Sequence, residues 1–141
     1  MAESSEAVIA DWAASCAEDP LKFVMEAFPW GEPGALAEHQ GPDSWQLAFL
    51  DRLGEEVRAR AFDGVTAVKP IRFATSSGHG IGKSVMVAWL VCWIMSTRPH
   101  CQGTITANTF TQLETKTWAA IQRWMKLCIT QQWFTVVGNR M

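Results

Sequence analysis

The residues from 76 to 84, which read SSGHGIGKS, constrain this chain more than any other stretch. Phosphate-binding loops follow the pattern of glycine, four residues and then Gly-Lys-Ser or Gly-Lys-Thr, because their backbone N–H groups curl around phosphate oxygens. Gly82-Lys83-Ser84 fits the end of the pattern, whereas Ser77 occupies the position where the pattern has its first glycine. Neighbouring glycines still supply the flexibility that a turn with positive φ needs. The stretch therefore predicts a phosphate site formed by Ser77, Gly78, His79, Gly80, Ile81, Gly82, Lys83 and Ser84.

Two side chains of this loop have specific expected roles. The ammonium group of Lys83 would reach the β- and γ-phosphates of a nucleotide. The hydroxyl group of Ser84 would bind Mg²⁺, which prefers hard oxygen ligands in octahedral geometry. Lys83 is thus the first candidate for a catalytic residue, and Ser84 is the candidate metal ligand.

The segments on both sides of the loop fit the same interpretation. Residues 69–75 carry β-branched and aromatic side chains, and Pro70 lies at the start, where a strand tolerates a missing donor. Every residue from 85 to 95 is apolar, which predicts a helix covered on most sides. That run is shorter than the about 17–25 residues of a membrane span, so no membrane location is expected. The dipole and N–H groups at the start of this helix would face the phosphates.

The order of the predicted elements indicates an α/β fold. Further helices are predicted at about 3–16, 21–28, 43–60 and 109–127, and further short strands at 104–107 and 133–137. Strand, helix, strand, helix in this order predicts a parallel sheet with a right-handed crossover. We expect a P-loop NTPase-type parallel sheet with flanking helices that is incomplete, with residues 1–68 as a helical lead-in and residues 69–141 as a truncated ATPase core.

Composition excludes several other classes of protein. The 141 residues carry a net charge of −2, so the bulk basic charge of a dedicated nucleic-acid binder is missing. The four cysteines contain no CxxC pair and are expected to be reduced and mostly buried. His39, His79 and His100 are too dispersed to suggest a zinc site. The acidic N-terminus does not resemble a targeting peptide.

Acidic residues are scarce after the loop. A P-loop ATPase also needs an apolar strand that ends in Asp, which holds Mg²⁺, usually with a Glu that prepares the attacking water. Beyond Ser84 the only acidic residue is Glu114, which lies inside a predicted helix and is expected to be solvated. We therefore expect the chain alone to bind a nucleotide better than it hydrolyses one, as a piece of a longer enzyme.

Several stretches together resemble the N-terminal part of the ATPase domain of a tailed-phage terminase large subunit, the motor that packages viral DNA. Residues 19–24 and 28–31, DPLKFV and FPWG, are similar to the lead-in of that family. Trp45-Gln46 stands where terminases carry a glutamine that reads adenine, and the loop 76–84 is similar to terminase loops, which often lack the first glycine. Residues 106–109, TANT, followed by Gln112, are similar to the strand end and helix start of the family.

The resemblance implies a set of ligands and partners. The cofactors would be ATP and Mg²⁺, and hydrolysis in the intact enzyme would drive packaging of double-stranded DNA. The partners would be a portal protein, a small terminase subunit and further copies in a ring, in the cytoplasm of a bacterial host. His79 stands where many terminases have an arginine that senses the γ-phosphate; it either takes part of that role or is an exposed loop residue. Gln46 either pairs with adenine or completes a capping box with Asp43.

Two other functions remain open from the sequence. One is a P-loop ATPase of another branch, such as a helicase-like or recombination protein, which a basic groove that tracks DNA would favour. The other is a non-catalytic module that docks to a portal or a small terminase subunit. For that module Trp12, Trp30 and Trp133 are the candidate exposed aromatics, against the ordinary expectation that they lie in the core.

Overall fold

The computed structural model describes residues 4–76, 78 and 82–138, and helices make up 55% of them. The helices are α1 (Ser5–Ser15), α2 (Pro20–Ala27), α3 (Ser44–Arg60), α4 (Lys83–Thr97), α5 (Phe110–Gln112) and α6 (Ala119–Leu127). A π-helical turn, Leu113–Trp118, joins α5 to α6, and a 3₁₀ turn, Gln131–Trp133, follows α6. The predicted helices are therefore confirmed to within a few residues.

Side-chain caps explain where the first three helices begin. The Ser4 side chain accepts from the backbone N–H of Ala7 at the start of α1. Asp19 accepts from the N–H of Lys22, and Pro20 occupies the first position of α2, where its missing N–H is tolerated. Asp43 and Gln46 form the predicted capping box of α3. These local signals are readable in the sequence, which is why the helix boundaries could be predicted.

The predicted α/β fold with a parallel P-loop sheet is wrong. In the described part of the chain there is essentially no strand and no sheet. Residues 69–75 and 104–107 are irregular and mostly exposed, and the third expected strand, 133–137, follows a 3₁₀ turn and contributes only an isolated bridge at Val137. β-branched and aromatic residues form a strand only where a neighbouring backbone accepts their hydrogen bonds, and these segments have no ladder partner among the described residues.

The core is built around α4, which packs against α1, α2, α6 and the π-helical turn. An aromatic cluster fills the space between them: Phe28, Trp30 and Trp89 each lie against Trp124, with ring centroids 5.0, 5.7 and 5.2 Å apart. The indole N–H of Trp93 donates to the backbone oxygen of Cys16 at 2.8 Å, which ties α4 to the end of α1. Whether the chain divides at residue 68 stays a prediction.

The cysteines and the tryptophans test two further expectations. Cys16, Cys92, Cys101 and Cys128 are unbridged thiols, and all but the half-buried Cys101 are buried, as predicted. Trp12, Trp30 and Trp133 are only partly exposed. Trp30 belongs to the aromatic cluster and donates to the backbone oxygen of Val24 at 2.8 Å. The ordinary expectation of core packing is therefore correct for Trp30.

We predict that Trp89→Ala lowers the free energy of unfolding by about 3–5 kcal/mol, because it empties the centre of the aromatic cluster. Chemical denaturation followed by circular dichroism measures this change. The matched control is Phe110→Ala, since Phe110 is 62% exposed, and it should change stability by no more than about 0.5 kcal/mol. Equal losses for both variants would contradict a core centred on α4.

Candidate functional site

The described part of the predicted loop lies at the start of α4. Gly82 is the N-cap of this helix and has φ 84° and ψ 23°, a left-handed conformation that favours glycine. Its backbone oxygen accepts the first helical hydrogen bond, from the N–H of Met86 at 3.0 Å. Lys83 and Ser84 are the first two residues of α4, and both are partly exposed. The Gly-Lys-Ser triplet thus coincides with a helix N-terminus, as the loop pattern requires.

The geometry of the helix start suits an anion. The first N–H groups of an α-helix have no acceptor inside the helix, and they carry the positive end of the helix dipole. Ser4 and Asp19 supply capping side chains to α1 and α2, but the N-cap of α4 is a glycine and offers none. A bound phosphate would supply oxygens there in place of a capping side chain.

Gln46 connects the start of α3 to this helix start. Its side chain is buried, with 4% exposure. The Oε1 atom accepts from the backbone N–H of Asp43 at 2.8 Å, and the Nε2 atom donates to the backbone oxygen of Gly82 at 3.3 Å. The capping-box alternative is therefore present in the structure, with a second contact that the sequence did not suggest. A contact of Gln46 with adenine stays a prediction.

Most of the other predicted site residues lie outside the described part of the chain. Ser77, His79, Gly80 and Ile81 are outside the described residues. Gly78 is exposed, and a Cβ atom added there would meet nothing within 4 Å. Glu114 lies in the π-helical turn and is exposed, as expected for a solvated helix residue. The structure thus brings together Gln46, Gly82, Lys83 and Ser84.

A groove lies between α3 and the irregular segment 71–76. Its volume is about 650 Å³, and it ends at Ser76, directly before the loop. Its lining includes Phe49, Arg52, Arg60, Arg72, Phe73 and Ser76. Sequence reasoning missed this groove because it placed residues 69–75 in a sheet. The available signal was Arg72, a charged residue in the middle of the predicted strand.

The described residues offer neither a clustered metal site nor a membrane-spanning helix. Among residues 4–76, 78 and 82–138, no group of three or more His, Cys, Asp or Glu residues is arranged to hold a metal ion. Within the same ranges, no helix has both the length and the apolar character that crossing a membrane requires.

Comparisons of this chain with protein-family models, with curated proteins and with solved structures found no match. The resemblance to terminase large subunits therefore depends on the sequence motifs alone.

We predict that Gly82→Ala destabilises the protein by more than the roughly 1–2 kcal/mol that a left-handed alanine costs. An added Cβ atom would lie 2.7 Å from the Nε2 atom of Gln46, whose buried amide can move away only by losing its hydrogen bonds to Asp43 and Gly82. Gly64→Ala is the matched control, because Gly64 has φ +86° and a Cβ atom there would meet nothing within 4 Å. Thermal and chemical denaturation of both variants measure the difference.

A third variant separates the clash from the backbone strain. In a chain that already carries Gln46→Ala, adding Gly82→Ala should lower the free energy of unfolding by about as much as Gly64→Ala does, because the clashing amide is gone. If the changes in unfolding free energy of Gln46→Ala and Gly82→Ala are fully additive in the double variant, the two residues are not in contact.

Proposed function

We propose that this chain binds the phosphates of ATP·Mg²⁺ at the start of α4, with residues 77–82 as the loop around them. The observation that carries this proposal is the position of Gly82-Lys83-Ser84, which begins α4 with a left-handed glycine as its N-cap. Lys83 would contact the β- and γ-phosphates, and the Ser84 hydroxyl would hold Mg²⁺. The support from the structure is the helix start alone, because residues 69–75 do not form the strand that precedes such a loop in P-loop proteins.

We further propose that the chain is the N-terminal part of a terminase-like DNA-packaging ATPase in the cytoplasm of a bacterial host. The support is the set of sequence stretches that resemble that family. In the intact enzyme, hydrolysis of ATP would drive translocation of double-stranded viral DNA, with a portal protein, a small terminase subunit and further copies in a ring as partners. His79 would help to sense the γ-phosphate. Gln46 would read adenine after its buried amide leaves the backbone groups of Asp43 and Gly82.

Hydrolysis by this chain alone should be slow. In-line attack by water needs a carboxylate that positions the water and another that holds Mg²⁺. The only acidic residue after Ser84 is Glu114, which is exposed on the π-helical turn and lines a different cavity. Binding without turnover is thus the expected behaviour.

A second candidate function is a P-loop ATPase of another branch, such as a helicase-like protein. The observation that favours it is the arginine-lined groove beside α3, which is the kind of basic groove that tracks a nucleic acid.

An interaction module is favoured by a different surface, an apolar cavity of about 850 Å³ between α4 and the π-helical turn, where Phe110 is 62% exposed.

We predict that Lys83→Ala weakens ATP binding by at least about tenfold, because one charge-assisted contact to phosphate contributes about 1.5–3 kcal/mol. Isothermal titration calorimetry on the 141-residue chain, with Mg²⁺ present, measures the affinity. Lys126→Ala is the matched control, since Lys126 is an exposed lysine in the last turn of α6, and it should leave the affinity unchanged. A folded Lys83→Ala variant with unchanged affinity would sink the proposal.

We predict that Ser84→Ala removes the gain in ATP affinity that Mg²⁺ provides and leaves the Mg²⁺-free affinity nearly unchanged. The reason is that the hydroxyl group binds the metal ion and not the phosphates. The same titration, run with Mg²⁺ and with EDTA, measures both affinities. Ser44→Ala, at the exposed start of α3, serves as a control for a lost serine hydroxyl. An equal loss of affinity in both buffers would rule out the metal role.

A further inference from the structure

Two different parts of the chain form the walls of the groove beside α3, which we call the α3 groove. One wall is a stripe of α3 that includes Phe49, Arg52 and Arg60. The other wall is the irregular segment 71–76, with Arg72 and Phe73. The volume of about 650 Å³ lies within the range of about 300–1,000 Å³ that ligand sites occupy.

Specific contacts hold the second wall in place. The guanidinium group of Arg60 donates from Nε to the backbone oxygen of Lys69 at 2.7 Å and from Nη2 to that of Pro70 at 3.5 Å. At the other end, the ring of Phe73 lies against that of Phe49, with centroids 5.0 Å apart and planes tilted by 52°. The segment therefore runs antiparallel to α3, and the groove between them is a built feature of the fold.

Positive charge is concentrated in this groove. Its lining contains three arginines and one carboxylate, that of Glu56. The Nη1 atom of Arg60 donates to the Oε2 atom of Glu56 at 2.5 Å, and this contact lowers the pKa of Glu56 and neutralises that arginine. Arg52 and Arg72 carry the remaining positive charge of the lining. Arg52 and Arg72 are exposed. A chain with a net charge of −2 thus presents a locally cationic surface.

The groove also presents aromatic surface. The Phe73 side chain is 36% exposed, and Phe49 behind it is partly exposed. Single-stranded nucleic acids bind where cationic side chains follow the backbone and aromatic rings stack on bases, which is possible because unpaired bases expose their faces. In a duplex those faces are stacked on each other.

We propose that the α3 groove binds single-stranded nucleic acid, with phosphates at Arg52 and Arg72 and a base stacked on Phe73. From Trp45 to Arg60 the groove follows α3 for about 22 Å, at about 1.5 Å per residue. That length suits a strand of about four nucleotides, the lower end of the range for small single-strand sites. The proposal goes beyond ATP binding, because it involves neither Lys83 nor Ser84.

Fluorescence anisotropy of a labelled eight-nucleotide oligothymidine, titrated with the 141-residue chain, tests the proposal. Arg52→Ala with Arg72→Ala should weaken binding by at least tenfold. The double variant should also make the slope of log affinity against log salt shallower by about 1.4, since each phosphate contact on a single strand contributes about 0.7. Arg123→Ala with Lys126→Ala, which removes two exposed cations of α6, is the matched control and should change neither quantity.

Phe73→Leu tests the stacking contact separately. Leucine keeps an apolar side chain against Phe49 but removes the ring, so the affinity should fall by about 5- to 150-fold, the equivalent of 1–3 kcal/mol per stacked base. The salt slope should stay unchanged because no charge is lost. Circular dichroism confirms that each variant remains folded.

Four results would overturn the proposal. The first is that the folded chain does not bind the oligonucleotide. The second and third are equal affinity for a duplex of the same length and equal affinity for a polyglutamate peptide. The fourth is that ATP displaces the oligonucleotide and that Lys83→Ala also abolishes oligonucleotide binding. The last result would make the groove part of the nucleotide site. Conversely, a Lys83→Ala variant that no longer binds ATP but still binds the oligonucleotide would support two separate sites. If the unmodified chain binds the oligonucleotide but not ATP, only the ATP proposal is contradicted.

Discussion

The apolar surface of α4 is the constraint on which the rest of the structure depends. A helix that is apolar on nearly every side is stable only where other elements cover it. Here Trp124 of α6 lies against Trp89, and Phe28, directly after α2, packs on Trp124. Cys16, directly after α1, supplies the backbone oxygen that accepts from Trp93. The same helix begins with Lys83 and Ser84. The core therefore fixes the direction in which the proposed phosphate site faces.

Local signals in the sequence were sufficient for the helices and insufficient for the sheet. Asp43 with Gln46, and Asp19 with Pro20, specify helix starts through contacts between residues close in sequence, so the pattern alone predicts them. Residues 69–75 have strand-like composition, but a strand also needs a partner at a distance that no local pattern specifies. In the structure the carbonyl groups of Lys69 and Pro70 accept hydrogen bonds from the guanidinium group of Arg60 and not from another strand. β-propensity describes how well residues fit a sheet that already exists.

The candidate site shows the same division between local and distant information. The spacing of Gly82, Lys83 and Ser84 predicted their position at the start of a helix, and they lie there. The hydrogen bond from Gln46 to Gly82 joins residues 36 positions apart, so no local pattern could reveal it. Yet this contact gives a second reason for glycine at position 82, since a Cβ atom would collide with the amide. The glycine of the motif thus serves the packing of α3 as well as the conformation of the loop.

The first turn of α3 is the place where the two proposed sites meet. Trp45 lines the α3 groove, and its neighbour Gln46 holds the N-cap of α4. A ligand that moved this turn would change both the groove and the start of α4, and such coupling between two binding sites is reciprocal. Charge works against simultaneous binding, because both ligands are anions and repel each other, and salt weakens this repulsion. The groove carries its own arginines, which offset that repulsion locally. The balance between the coupling through α3 and the repulsion between the two anions decides whether ATP at α4 raises or lowers the affinity of the groove for a nucleic acid.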